Sequence, residues 1–201
     1  NSDEGFLSFG LGFINWCQKA DLVGEYAPYN SYGNGAAMRV SPIGWYAKSE
    51  EEVKKWTYNV TAITHNTEEA IKGAEAVASC IFLARNGADK KVIKEYVEKE
   101  FGYNLNRTLD EIRPTYHHVE SCQQTVPESI IAFLESENFE DAVRNAVSLG
   151  GDTDTLAAIT GSIAEAYYHI PAILRAECRN RVNGDILNVM ELFDEAVDRR
   201  V

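Results

Sequence analysis

Helix start and stop signals recur along this chain, and no stretch alternates apolar with polar residues as a half-buried strand must. Ser49-Glu50-Glu51-Glu52 is a capping box, in which the serine oxygen accepts the third helical amide while Glu52 reaches back. It predicts a helix running to about His65. Thr67 caps the next, where Ile71, Ala74, Val77, Ala78, Ile81 and Phe82 recur at helical steps toward a core, and Asn86-Gly87 supplies a left-handed stop. Asp89 starts a third helix with Val92, Ile93, Tyr96 and Val97 inward, closed by Gly102. From Tyr103 to Gln124 the pattern fails and reads as an ordered, extended connector. Thr125-Val126-Pro127-Glu128 then looks like a second capping box, opening a helix through Leu134. Asn138 caps a helix with Ala142, Val143, Ala146 and Val147 inward, which Gly150-Gly151 ends. Leu156 to Tyr168 is alanine-rich with Gly161 and Ser162 in its middle, as expected where another helix passes close by, and Pro171 stops it. An amphipathic stretch from Ile186 to Val197 finishes the chain. The expectation is an all-α protein with one compact domain over residues 1–201 and no repeat of fixed period.

Charge narrows the partners. Nineteen basic against 31 acidic residues leave a net charge of −12, and no Lys/Arg cluster offers a local exception. A phosphate polymer would be repelled overall, so nucleic acid is not the expected partner. No apolar run approaches the roughly 18 residues that a membrane-crossing helix needs, and no basic segment followed by an apolar core opens the sequence. Cys17, Cys80, Cys122 and Cys178 are widely spaced and form no CxxC pair. They read as reduced, mostly buried thiols in a cytoplasmic protein.

Two stretches stand outside the helical grammar. "SLGGDTDTLAAITG", residues 148–161, frees the backbone at two glycines and then sets Asp152, Asp154 and Thr155 on the opening turn of a helix. Hard divalent cations such as Mg²⁺ take oxygen ligands of this kind. Asp152 and Thr155 share a helix face, and Asp154 joins them only if the first turn is irregular. The alternative is an N-cap at Asp152 with Asp154 favoured by the helix dipole. The apolar helix behind is expected to draw the carboxylates inward, where they need a cation or strong donors. "SYGNGAAMRVSPIGW", residues 31–45, offers Gly33 and Gly35 for a concave nest of amides suited to phosphate oxygens, with Tyr32 for stacking and Asn34 as donor and acceptor. A well-made turn is the other reading. It is neither a P-loop nor a dinucleotide fingerprint. His65, at the expected end of a helix, reads as a partner for the helix dipole. Cys122 has no persuasive base partner for nucleophilic catalysis.

Taken together, "SYGNGAAMRVSPIGW", "VTAITHNTEEAIKGAEAVA", "LDEIRPTY", "SCQQTVPESIIAFLES" and "FEDAVRNAVSLGGDTDTLAAITGSIAEAYY" resemble the ADP-ribosylglycohydrolases, including the dinitrogenase-reductase-activating type, in order and spacing over residues 29–171. The resemblance implies an orthogonal multi-helix bundle whose cleft holds two Mg²⁺ ions, with Mn²⁺ a possible substitute. It implies that Asp152, Asp154 and Thr155 are metal ligands, that Ser31, Tyr32, Gly33, Asn34 and Gly35 cradle the diphosphate and distal ribose of ADP-ribose, and that His65 lies near the ligand. The implied reaction is hydrolysis of the glycosidic bond between ADP-ribose and an acceptor, either a protein side chain or a small molecule. The chain departs from the family pattern in lacking an Asp-Asp pair, and its first thirty residues match only the stretch after the family's Thr-Asp-Asp-Thr run. The remaining metal ligands and the acid/base are therefore expected outside this sequence, and a non-catalytic ADP-ribose-binding or structural homologue is the alternative. Thr67-Glu68 stands where the family commonly has histidine-proline, and His169 where glycine is usual.

Overall fold

The computed structural model describes residues 9–24 and 26–199. Twelve helices account for the regular structure of these residues: α1 (Leu11–Val23), α2 (Gly35–Met38), α3 (Ser41–Tyr46), α4 (Glu50–Thr61), α5 (Glu68–Arg85), α6 (Lys90–Phe101), α7 (Leu109–Ile112), α8 (Cys122–Leu134), α9 (Phe139–Ser148), α10 (Thr153–Tyr168), α11 (Ala172–Arg179) and α12 (Gly184–Asp198). The one β-type pairing among them is an isolated antiparallel bridge between Gly33 and Ser121. The chain is all-α, as its periodicity requires.

Local chemistry starts most of the long helices. Side-chain oxygens of Ser49, Thr67, Asp89 and Asn138 each accept the backbone N–H three residues on, filling one of the four orphan donors at a helix start. Glu52 reaches one residue further back than a capping box requires, to the Lys48 amide at 2.9 Å. Left-handed glycines end two helices as expected, Gly87 just past α5 and Gly102 at α6. At α9, Gly150 and Gly151 both have positive φ.

Helix α5 lies at the centre and touches α2, α3, α4, α6, α8 and α10. Its side chains Ala74, Val77, Ala78 and Ile81 are buried with Ile93 and Val97 of α6, Ile130, Ile131 and Phe133 of α8, and Leu156, Ile159 and Ile163 of α10 in one apolar cluster. Each large aliphatic group buried this way contributes about 1.5–3 kcal/mol. Gly73 lets α5 approach the start of α8: a Cβ there would sit 2.8 Å from the Cβ of Cys122, closer than atoms can pack. That contact seats Cys122 beside the Gly33 loop.

Several expectations are corrected. Helix α4 stops at Thr61, and a turn carries the chain to His65. Val92 and Val147 face outward, because α6 turns Ile93, Val97 and Phe101 to the core and α9 turns Ala142 and Ala146. The connector contains the short helix α7, opened by a capping box in which Thr108 and Glu111 satisfy each other's amides. Helix α8 begins at Cys122, not Thr125, so the apparent capping box is interior helix. Pro127 sits inside α8, and Glu128 pairs instead with Arg107 through two bonds of 2.8 and 2.6 Å. Gly161 faces Val143 of α9 at an ordinary packing distance, 3.6 Å from an added Cβ to Cγ2. His169 ends α10 with φ 62° and ψ 149°, a region that glycine occupies without strain.

Candidate functional site

Two segments distant in sequence, residues 119–125 and Asp152, converge on Asn34. Its Nδ2 donates to Asp152 Oδ2 at 2.7 Å, with Thr125 Oγ1 at 3.2 Å and the Val119 carbonyl at 3.4 Å also in reach. Its backbone N–H donates to the Glu120 carbonyl at 2.7 Å. Cys122 completes the seam: its N–H donates to the Tyr32 carbonyl at 3.1 Å and its thiol to the Gly33 carbonyl at 3.2 Å. Burial pushes that thiol up to about 12, so it stays protonated and serves as a donor, not a nucleophile.

The glycine loop differs from the expected nest. Gly33 and Gly35 have no positive φ, and Asn34 is right-handed at φ −67°, ψ −11°. The Gly33 amide already donates to Ser31 Oγ at 3.2 Å and the Asn34 amide to Glu120. Space is tighter at Gly35, where a Cβ would come within 3.3 Å of His65 Nε2, than at Gly33, where it would stand 3.6 Å away at an ordinary packing distance. The Ser31 carbonyl accepts from Thr67 Oγ1 at 3.0 Å, which ties the loop to the cap of α5. Tyr32 stands exposed at 60%.

His65 is buried under this loop rather than placed at a helix terminus. Its Nδ1 lies 2.7 Å from Thr64 Oγ1, which also accepts from Arg39 at 2.8 Å. Burial, assisted by the nearby Arg39 charge, pulls the imidazole down to about 4, so the ring is neutral at physiological pH. That excludes the expected role as a cationic partner of the helix dipole.

Helix α10 presents the acidic turn. Asp152 occupies its N-cap position with ψ 68°, non-helical as an N-cap residue normally is, and its side chain makes no capping bond. The Asp154 carboxyl is held below its usual value chiefly by a hydrogen bond with Asp152, although Asp154 itself is exposed and not drawn inward as expected. The preceding Gly151 has φ +70° and lies so close to the next strand of backbone that a Cβ would meet the His117 carbonyl at 2.8 Å. Thr155 is buried, its hydroxyl facing only Met38 Sδ at 3.7 Å, a weak acceptor. Two adjoining carboxylates and a hydroxyl without an oxygen partner form a donor set that suits a hard cation. Among the described residues no group of three or more His, Cys, Asp or Glu side chains gathers to hold a metal by itself.

The family profile for ADP-ribosylglycohydrolase matches residues 4–200. The chain belongs to this family. ADP-ribosylarginine hydrolase Tri1 of Pseudomonas putida (strain GB-1) is 28% identical over 180 residues, which cover 85% of this chain and 45% of that protein. Human ADP-ribosylhydrolase ARH3 is 27% identical over 205 residues, covering 78% of this chain and 56% of that one. The chain thus spans about half the length of these curated relatives. A solved structure described as an ADP-ribosylglycohydrolase-related protein complex superimposes with a TM-score of 0.72 at 25% identity, over 95% of this chain and 69% of its own. The ADP-ribosylglycohydrolase match extends beyond the 29–171 stretch whose motifs carried the resemblance.

Sequence reasoning missed Arg39, Thr64 and Thr125 as parts of this seam. Arg39 lies within the 31–45 stretch and Thr64 directly before His65, but only the fold puts them in contact. All four cysteines are free thiols, with Cys80 and Cys122 buried and Cys178 exposed. No helix among the described residues is long and apolar enough to cross a membrane.

Proposed function

We propose that this chain carries the ADP-ribose-binding part of a hydrolase cleft that cleaves the glycosidic bond between ADP-ribose and a protein side chain or small-molecule acceptor. The observation that carries the reading is the 2.7 Å bond from Asn34 to Asp152, which fastens the glycine loop to the acidic turn and makes them two walls of one cleft. Because the Gly33 and Asn34 amides are engaged within the chain, ligand phosphates are gripped by side chains: His65 Nε2 beneath the loop and Ser31 at its edge. Exposed Tyr32 offers a stacking face.

Asp152, Asp154 and Thr155 would hold Mg²⁺, with Mn²⁺ a possible substitute. A divalent cation there orients ribose hydroxyls and lowers the pKa of a bound water, which suits an oxocarbenium-like glycosyl transfer. The site's own carboxylates supply the charge that draws it in. Cytoplasmic location fits the four free thiols. The residues here read as a single folding unit built on the one apolar cluster.

The test is release of ADP-ribose from an ADP-ribosylated protein by the 201-residue chain, with and without MgCl₂. The expected result is Mg²⁺-dependent release that the Asp152→Asn variant loses. A second reading, ADP-ribose binding without hydrolysis, is favoured by the small ligand set at the acidic turn among the described residues. Calorimetric binding of ADP-ribose without release selects that reading. Neither release nor binding at millimolar ADP-ribose defeats both.

A further inference from the structure

Arg39, Thr64 and His65 form a one-way relay of hydrogen bonds. Arg39 Nη2 donates to Thr64 Oγ1 at 2.8 Å and faces His65 Nδ1 at 3.5 Å, while Thr64 Oγ1 lies 2.7 Å from the same Nδ1. A guanidinium carries only donors, so nothing on Arg39 can accept a proton from the ring. With its oxygen accepting from Arg39, the Thr64 hydroxyl keeps a hydrogen to offer Nδ1, 2.7 Å away. A proton on Nδ1 would face the guanidinium at 3.5 Å, whereas a lone pair there is attracted to it. Nδ1 is therefore the acceptor, and a neutral imidazole with a bare Nδ1 carries its one proton on Nε2.

That Nε2–H points at the loop, lying against Gly33 and Gly35. Among the described residues no hydrogen bond occupies Nε2, whereas Nδ1 is doubly addressed. Thr64 and His65 are buried at 2% and 6% exposure, so the ring is not free to turn over. Arg39 itself reaches solvent, but the Thr64–His65 end of the chain is buried, and bonds aligned head to tail there strengthen one another.

We propose that Arg39 is a positioning residue that acts through Thr64 to fix His65 as an Nε2–H donor toward the diphosphate of ADP-ribose in the Ser31–Gly35 loop. The diphosphate half of this inference rests on the proposed function of that loop. The relay itself does not.

Two measurements on the 201-residue chain separate these parts. Nitrogen-15 NMR of labelled histidine reads the tautomer directly. The expected signature for His65 is a bare Nδ1 and a protonated Nε2, giving way to mixed tautomers in Arg39→Ala and in Thr64→Val. Calorimetry with ADP-ribose should show each of these variants binding about tenfold more weakly, the scale of one hydrogen bond to a charged group. In a His65→Ala background, Arg39→Ala should add no further loss, since its effect runs through the ring. Arg39→Lys, which keeps a donor for Thr64, should retain part of the affinity and most of the tautomer.

A protonated Nδ1 in the unaltered chain overturns the relay whatever ADP-ribose does. Equal losses from Arg39→Ala with and without His65, fully restored by lysine, would mean that Arg39 acts on the ligand by charge alone and would overturn the positioning role. The expected tautomer with no ADP-ribose binding leaves the relay standing and removes the loop reading, together with the diphosphate role.

Discussion

Helices α10 and α12 have similar lengths and comparable apolar content, yet they end in opposite surroundings. In α10, Leu156, Ile159 and Ile163 are fully buried between α5, α8 and α9. In α12, Val189 and Leu192 stand 66% exposed, and no residue of the helix is buried. Helix α11 likewise buries nothing, and α1 buries only Ala20. Periodicity tells which face of a helix is apolar. It does not tell whether another element covers that face. The seam around Asn34 is drawn from segments packed on the covered region, although Tyr32 and Asp154 at its edge face solvent.

The sharpest test of this contrast is truncation in α10. Leu156→Ala should cost about 2–5 kcal/mol in urea unfolding, because a fully buried leucine leaves a cavity. A smaller loss would mean that the central cluster is less tightly packed than the burial implies. Next comes Glu128→Gln, which removes the carboxylate from its two-point contact with Arg107. Glu128 is nearly buried while Arg107 is 38% exposed, so solvent screens part of the loss and about 1–3 kcal/mol is expected. At the border of the two regions, His169→Gly should stabilise by about 1 kcal/mol by relieving the positive φ that closes α10. That substitution restores the residue usual in the family.

Acid offers a finer probe. The folded His65 sits near 4, below its usual 6.5, so between those values the unfolded chain takes up a proton that the folded chain refuses. Stability contributed by the neutral ring is present above pH 6.5 and is lost as pH falls toward 4. The unfolding temperature of the parent should therefore drop more between pH 7 and pH 5 than that of His65→Gln. Equal drops would place the ring in a more solvated setting. The smallest effect belongs to the uncovered region: Leu192→Ala should change stability by less than about 0.5 kcal/mol, since the side chain already meets water.

What the sequence made legible follows the range of the forces involved. Caps at Ser49, Thr67, Asp89 and Asn138 act over three residues, and each was readable where it stands. The Thr125–Glu128 signal misled because a serine-like oxygen, a proline and a glutamate can imitate a helix start while serving long-range partners. Thr125 answers to Asn34 and Glu128 to Arg107, which lie 91 and 21 residues away. The acidic turn was legible as a candidate cation site. That Asp154 faces solvent was not, because the position of the connector over Gly151 is set by tertiary contact with His117. For Gly33 and Gly35 the sequence alone offers only conformational freedom; that neither uses a positive φ, and that Gly35 abuts a histidine thirty residues on, is set by tertiary contact.

Asn34 has one consequence beyond holding the walls together. An amide nitrogen has two hydrogens, and Nδ2 faces three oxygens, on Val119, Thr125 and Asp152. The shortage is eased by the Thr125 hydroxyl, which donates to the Val119 carbonyl at 3.4 Å. Anything that claims the lone pairs of Asp152 hands a hydrogen to Thr125 or Val119, and the loop that carries Asn34 registers the exchange. Occupancy at one wall is thereby felt at the other without either wall having to move far.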